Sequence, residues 1–320
     1  MVCICGMVVL DNLMSLLSGA RALSFSDWQK FPITKLYDEI FAHNTFRRML
    51  ISLRDEKSRD AVQLYRSRFA GFPDDVEIAP GQEDLADFLT GEGVLLRPVV
   101  TELKYRMTSP LTDALVRLQV IPSHFPNMPL SPVRETHGDV LAILMEALKC
   151  FDKNLIKSAY DHSFKSSKVY VNGSLRAQVP RESVYDTEML RILCNWLRTS
   201  GWSVTGQLHM NTDDQRHQYS DIVIQSPDDK PIFFELVATS DPSFLKAHIE
   251  KTPEHMTLSS AVEGWVVHFT CEDSFIPTWQ TDAELSGGVN VIHISHTEDF
   301  TNLKLYIRSK NRKGECDIAI

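Results

Sequence analysis

Short apolar runs bounded by turn residues are clearest late in the chain, where 219–224 (Tyr-Ser-Asp-Ile-Val-Ile) and 231–237 (Pro-Ile-Phe-Phe-Glu-Leu-Val) flank the polar stretch 226–230. β-Branched and aromatic residues fill both runs, and Ser226, Pro227, Asp228 and Asp229 suit a turn, so the pattern predicts a hairpin. A turn centred on Asp228 pairs Ile224 with Ile232 and, further along, sets Asp221 opposite Glu235. Upstream, residues 185–199 place Leu190, Leu193, Cys194 and Leu197 on one helical face with Gly201 at the end, and 202–208 read as a strand. Downstream, Ser240-Asp241-Pro242 opens a helix expected to run to about Lys251, where Pro253 kinks or ends it. Two apolar strands follow at 264–269 and 289–294. The order α-β-β-β-α-β with a later strand predicts an α/β sandwich over 181–320.

The first 120 residues have a different texture. Helical spacing covers most of 1–60 after the first few residues, and a second helical run at 58–69 stops at Gly71-Phe72-Pro73. A short helix at 84–89 precedes extended pieces at 94–100 and 102–107. This mainly helical region, 1–120, is compatible with a winged-helix-like unit. Residues 121–138 begin with four prolines in eleven positions, Pro122 to Pro132, and are expected to be a linker. A connector at 139–180 combines a helix with an Asn172-Gly173 hairpin turn; the same residues form an Asn-X-Ser sequon, relevant only to a secreted chain.

Charge and cysteines narrow the setting. The net charge is −9; residues 1–180 balance 21 basic against 21 acidic side chains, while 181–320 hold 12 against 21. That excess opposes strong non-specific nucleic-acid binding by the second half, where 304–313 is the basic tract. Six cysteines without CxxC spacing imply neither a zinc site nor a disulfide framework, which fits an intracellular, reducing compartment. The apolar N-terminus lacks a basic n-region and is broken by Asp11, so a buried strand leading into a helix is expected rather than a signal peptide. No stretch approaches the ~20 apolar residues of a membrane span.

Like charges directly opposite destabilise a strand ladder, so Asp221 facing Glu235 points to a cation between them, and oxygen ligands suit Mg2+ or Mn2+. The alternative is a solvent-facing hairpin whose acids serve solubility. An acid on the preceding helix, Glu188 first and Glu182 second, completes a pattern that resembles the PD-(D/E)XK nuclease superfamily over about 181–294. The resemblance implies a restriction-endonuclease-like fold in which Asp221, Glu235 and Glu188 hold metal, and a lysine two residues after the third-strand acid activates water for phosphodiester attack. Val237 occupies that lysine position, which separates metal binding from hydrolysis. Lys251 is the candidate replacement, because Phe244, His248, Lys251 and His255 recur at helical spacing on the next helix; the same stripe also reads as a solvated or interfacial face. Gln207 reads either as lying near the acids or as a surface strand end, and His268, His293 and His296 read as core or edge histidines.

A wider resemblance is to fungal chains of the Crinkler and retrotransposon-hot-spot type. It is carried by 105–111 (Tyr-Arg-Met-Thr-Ser-Pro-Leu), 179–186 (Val-Pro-Arg-Glu-Ser-Val-Tyr-Asp), 219–224, 248–253 (His-Ile-Glu-Lys-Thr-Pro) and 265–269 (Trp-Val-Val-His-Phe). Such chains join an NTPase module to a nuclease-like domain. No GxxxxGK[ST] occurs here, so the resemblance makes 1–120 the trailing part of that module, and no nucleoside triphosphate binding or ATPase activity is expected. The sequence therefore predicts a divergent nuclease-like protein, cytoplasmic or nuclear, that acts on or binds DNA or RNA with Mg2+ or Mn2+. The other readings are a catalytically inactive effector-type module binding a protein partner, and a scaffold with neither activity. Export as an effector stays open, and no membrane partner is expected.

Overall fold

The computed structural model describes residues 43–99, 101–130, 139–211, 217–227 and 230–319, without the side chains of 207–211 and 217–221. Expectations for residues 1–42, and for the side chains of Asp221 and Gln207, therefore fall outside the described residues.

Helices and short strands alternate first: α1 (Asn44–Arg54), α2 (Arg59–Arg68), β1 (Val76–Glu77), α3 (Glu83–Gly91), β2 (Leu95–Leu96) and β3 (Lys104–Met107). The strands form a small antiparallel sheet ordered β1-β3-β2. Ser109 caps α4 (Pro110–Leu115), which passes through a π-helical turn (Val116–Val120) into α5 (Ile121–His124). Here the linker expectation fails at its start. Pro122 sits in the first turn of α5, where a missing N–H costs no hydrogen bond, and Ile121, Pro122 and His124 are buried. Arg191 donates to the carbonyls of Phe125 (2.8 Å) and Asn127 (2.6 Å), so the tract is tied to the core.

The connector contains α6 (Val140–Leu148), α7 (Lys153–His162), the pair β4 (Phe164–Ser166) with β7 (Gln178–Pro180), and the hairpin β5 (Tyr170–Val171) with β6 (Ser174–Leu175). Asn172 and Gly173 have φ of 51° and 73°, the left-handed pair that a two-residue hairpin turn requires.

Then follow α8 (Glu182–Leu197), β8 (Ser203–Asn211), β9 (His217–Gln225), β10 (Ile232–Val237), α9 (Pro242–Leu258), β11 (Glu263–Thr270), α10 (Asp282–Ser286), β12 (Val289–His296), β13 (Asn302–Arg308) and β14 (Lys313–Ala319). The seven strands β8 to β14 are hydrogen-bonded in sequence order. The two pairs joining β10, β11 and β12 are parallel and the outer pairs antiparallel, giving a mixed, mostly antiparallel sheet. Ile232 pairs with Ile224, Phe233 with Val223 and Phe234 with Ile222, the register the sequence predicts. The basic tract at 304–313 forms much of β13 and the turn into β14 at the sheet edge.

Period-2 alternation sorts β10 between two cores. Phe234 and Leu236 join the large core that includes α8 and the N-terminal helices, while Phe233 and Val237 pack with Leu245, Ile249 and Met256 of α9. Gly206 of β8 lets α8 approach closely, since a Cβ there would meet Leu190 Cδ2 at 2.6 Å. Helix α8 is buried on nearly every side because the N-terminal helices cover what the sheet does not. Helix α9 continues past Pro253 to Leu258 instead of ending near Lys251; burial of Leu245, Ile249, Thr252, His255 and Met256 outweighs the ~3 kcal/mol cost of an internal proline.

Candidate functional site

The start of α8, strands β4 and β10, helix α9 and the loop at Gly71 enclose a cavity of about 660 Å3. Its walls carry Lys165, Arg181, Glu182, Ser183, Asp186, Glu235 and His248.

Strand alternation turns Glu235 toward α9, where it is only 5% exposed. Nδ1 of His248 lies 2.6 Å from its Oε1, and Nδ1 of His255 lies 3.3 Å from its Oε2. Burial alone would raise the Glu235 pKa, but the hydrogen bonds from these two rings outweigh it and hold the group below the ordinary carboxylate value. Glu182, at the first position of α8, goes the other way. Burial, and then the charge of Glu235, push it up to about 7 against the pull of His248 and Lys165. Lys165 reaches the cavity from β4; burial lowers its pKa, with Glu182 acting in the opposite sense.

Three polar atoms in this wall have no hydrogen-bond partner among the described residues: Nη1 of Arg181, Oγ of Ser183 and Oδ1 of Asp186. Each is buried, and an unsatisfied buried polar atom costs about 1–3 kcal/mol. The rest of the Arg181 and Asp186 side chains is anchored. Nε of Arg181 donates to the carbonyl of Phe164 at 2.7 Å and its guanidinium lies over Phe72, while Oδ2 of Asp186 pairs with Arg117. Arg117 also lies 3.7 Å from Asp113, whose Oδ1 accepts from Tyr65 at 2.6 Å. This buried chain joins α2, α4 and α8, so the N-terminal region helps build the cavity.

The other predicted site residues are placed elsewhere or outside the description. Glu188 is fully buried, but its carboxylate accepts from Arg66 Nε (3.1 Å), Arg191 Nη2 (3.0 Å) and the backbone N–H of Asp152 (3.0 Å). Burial would raise its pKa; the two arginines reverse that and hold it low. The acid expected beside Glu235 is thus tied into the N-terminal helices, and Glu182, from the same helix, lines the cavity instead. Lys251 is exposed on α9, whereas His248 and His255 of the same stripe turn inward to Glu235. Among the described residues no group of three or more His, Cys, Asp or Glu is arranged to hold a metal ion. Extending the β9–β10 register by one residue sets Asp221 across from Glu235, with its side chain outside the described residues.

No protein-family model matches the chain, and no curated protein matches it. A structure of Can2 from Sulfobacillus thermosulfidooxidans in complex with cyclic tetra-adenylate is similar over 82% of this chain and 52% of that one, at 11% identity and a TM-score of 0.20. The match spans about half of the other chain.

Val237 is fully buried in the α9 core and pairs with His268 of β11, so the position of the missing lysine is filled by packing. Sequence reasoning did not reach Lys165, whose β4 strand lies well upstream and carries no pattern of its own. Arg181, Ser183 and Asp186 lie in the stretch 179–186 that leads into α8. No helix among the described residues is long and apolar enough to cross a membrane.

Proposed function

We propose that the cavity binds a phosphodiester of DNA or RNA beside a divalent cation, and that the chain is a divergent, nuclease-like protein. The observation that carries this reading is the set of unpartnered atoms, Arg181 Nη1, Ser183 Oγ and Asp186 Oδ1, on the wall that also holds Glu182 and Glu235. Donors and acceptors left open together suit a ligand that brings both phosphate oxygens and a cation. The element order from α8 to β11 adds support.

Fit to a divalent ion is supported by Glu182, whose pKa rises partly because Glu235 is charged; a cation between them relieves that repulsion. Glu182, Glu235 and Asp221 would hold Mg2+ or Mn2+. When bound, such an ion polarises a phosphoryl oxygen and acidifies its water. Arg181 and Lys165 would bind and orient phosphate oxygens. Lys165 is our candidate for the ammonium that Val237 lacks, and burial lowers its pKa. His248 orients Glu235.

Incubation of purified protein with end-labelled single- and double-stranded DNA and RNA, with Mg2+, Mn2+ or EDTA, tests the reading. Metal-dependent cutting that is lost in Glu235→Gln, Glu182→Gln and Lys165→Met supports it; cutting retained in all three overturns it. A second reading, binding without cleavage, is favoured by the hold of His248 and His255 on both oxygens of Glu235. It predicts retained nucleic acid and no products.

A further inference from the structure

Strands β11 and β12 run parallel, so their C-terminal ends emerge side by side: Cys271 follows the last residue of β11, and His296 ends β12. There Cys271 Sγ lies 3.5 Å from Nε2 of His296 and 2.8 Å from the hydroxyl of Tyr160 on α7. Nδ1 of His296 lies 2.9 Å from the carbonyl of Thr297, which fixes its proton there and turns Nε2 toward the sulfur and toward the hydroxyl of Tyr185, 2.9 Å away. The backbone N–H of Cys271 donates to Oγ1 of Thr239 at 3.1 Å, fixing the approach of the thiol. The cysteine is partly exposed and opens on a cavity of about 620 Å3, separate from the one lined by Glu235.

We propose that Cys271 is a nucleophilic thiolate with His296 as its base, forming a second reactive site that takes small uncharged peroxides. Nucleophile, base and a phenol that donates to the sulfur converge, as an activated cysteine requires. Burial opposes the thiolate, but the charge and hydrogen bond of His296, together with hydrogen bonds from Tyr160 and Thr239, lower the Cys271 pKa; that of His296 rises despite its burial. Cys194 moves the opposite way, to about 11 through burial, so the effect is local.

The rim selects the reactant. Glu272, Glu298 and Asp317 face the cavity, Asp299 lies nearby, and Lys304 is paired with Glu315 at 3.1 Å. The carboxylate of Asp273 is engaged by the N–H groups of Asn172 and Gly173. An anionic electrophile is repelled here, whereas a neutral hydroperoxide is not. The thiolate attacks one peroxide oxygen; the S–O bond forms as the O–O bond breaks. Sulfur is oxidised by two electrons to sulfenic acid, and the departing hydroxide or alkoxide takes the proton from Nε2 of His296 and leaves as water or alcohol.

The full chain is alkylated with iodoacetamide from about pH 6 to pH 8.5, and Cys271 labelling is followed by peptide mass spectrometry; a parallel sample receives hydrogen peroxide and then a sulfenic-acid-specific diketone. The expected rate rises far less across the range than the ~100-fold or more of an ordinary thiol, and the diketone adduct falls on Cys271 ahead of Cys150 and Cys194. In His296→Asn the rate rises about tenfold per pH unit. If that variant does not fold, the wild-type profile decides. A wild-type rate climbing tenfold per pH unit, or Cys271 left unlabelled in the folded protein, overturns the proposal.

Discussion

Nδ1–H of His248 donates to Oε1 of Glu235 across 2.6 Å, so the acid on the third strand of the sheet is held by the helix that follows it. His255, two turns further along α9, approaches the other oxygen at 3.3 Å. A carboxyl held below its unfolded value of 4.5 contributes stability that is present above that pH and lost as pH falls through the folded value. Denaturant melts from neutral to acidic pH are expected to show this loss in wild type, and a shallower acid slope in Glu235→Gln. Identical slopes would mean that the two rings do not hold a charged acid.

Glu182 carries the opposite sign. Its folded pKa of about 7 lies above the ordinary 4.5, so the folded state keeps a proton that the unfolded chain releases. Its contribution is fully present below the unfolded value and is lost as pH rises through the folded one, a change of about 3 kcal/mol. Glu182→Gln is expected to remove this decline between about pH 4.5 and 7, as read by denaturant melts. A cation binding between Glu182 and Glu235 should also release protons near neutral pH, which calorimetry in two buffers of different ionisation enthalpy measures.

Glu188 serves as the contrast. Removing one member of a buried ion pair typically costs about 3–5 kcal/mol, because the partners are left charged and unpaired. Glu188→Ala is therefore expected to destabilise the fold by that order through Arg66 and Arg191. Glu188→Gln should leave metal affinity unchanged wherever it folds. Loss of affinity in a fully folded Glu188→Gln would return this residue to the site.

Gly71 has φ of 67°, and a Cβ placed on it would sit 2.6 Å from Cβ of Ser183 at the cavity wall. Its N–H also reaches both oxygens of Asp113 at 3.2 Å. Gly71→Ala combines left-handed strain with a clash and is expected to lower stability by about 1–3 kcal/mol. Chemical denaturation measures the loss, and intrinsic fluorescence checks that the native fold persists.

Local patterns in the sequence carried much of this architecture. A turn centred on Asp228 between two apolar runs set the β9–β10 register to the residue, and Asn172-Gly173 marked its hairpin. The choice between Glu182 and Glu188 was hidden because α8 is buried nearly all round; with no polar face, helical spacing does not say which acid meets the sheet. Pro122 and Pro253 misled for different reasons: Pro122 stands in the first turn of a helix, where proline is tolerated, whereas at Pro253 tertiary burial overrode local propensity. Lys165, and the meeting of Cys271 with His296, depend on long-range packing: a short strand laid against the cavity, and two parallel strands ending together.

A titration of the purified chain with Mn2+, followed by calorimetry in wild type, Glu182→Gln, Glu235→Gln and Glu188→Gln, tests the central claim most directly. The account predicts saturable binding in wild type, weakened at least ~10-fold by either cavity substitution, a loss of about 1.4 kcal/mol or more, and unchanged in Glu188→Gln. Absence of binding in wild type, or equal affinity in all four proteins, would contradict it.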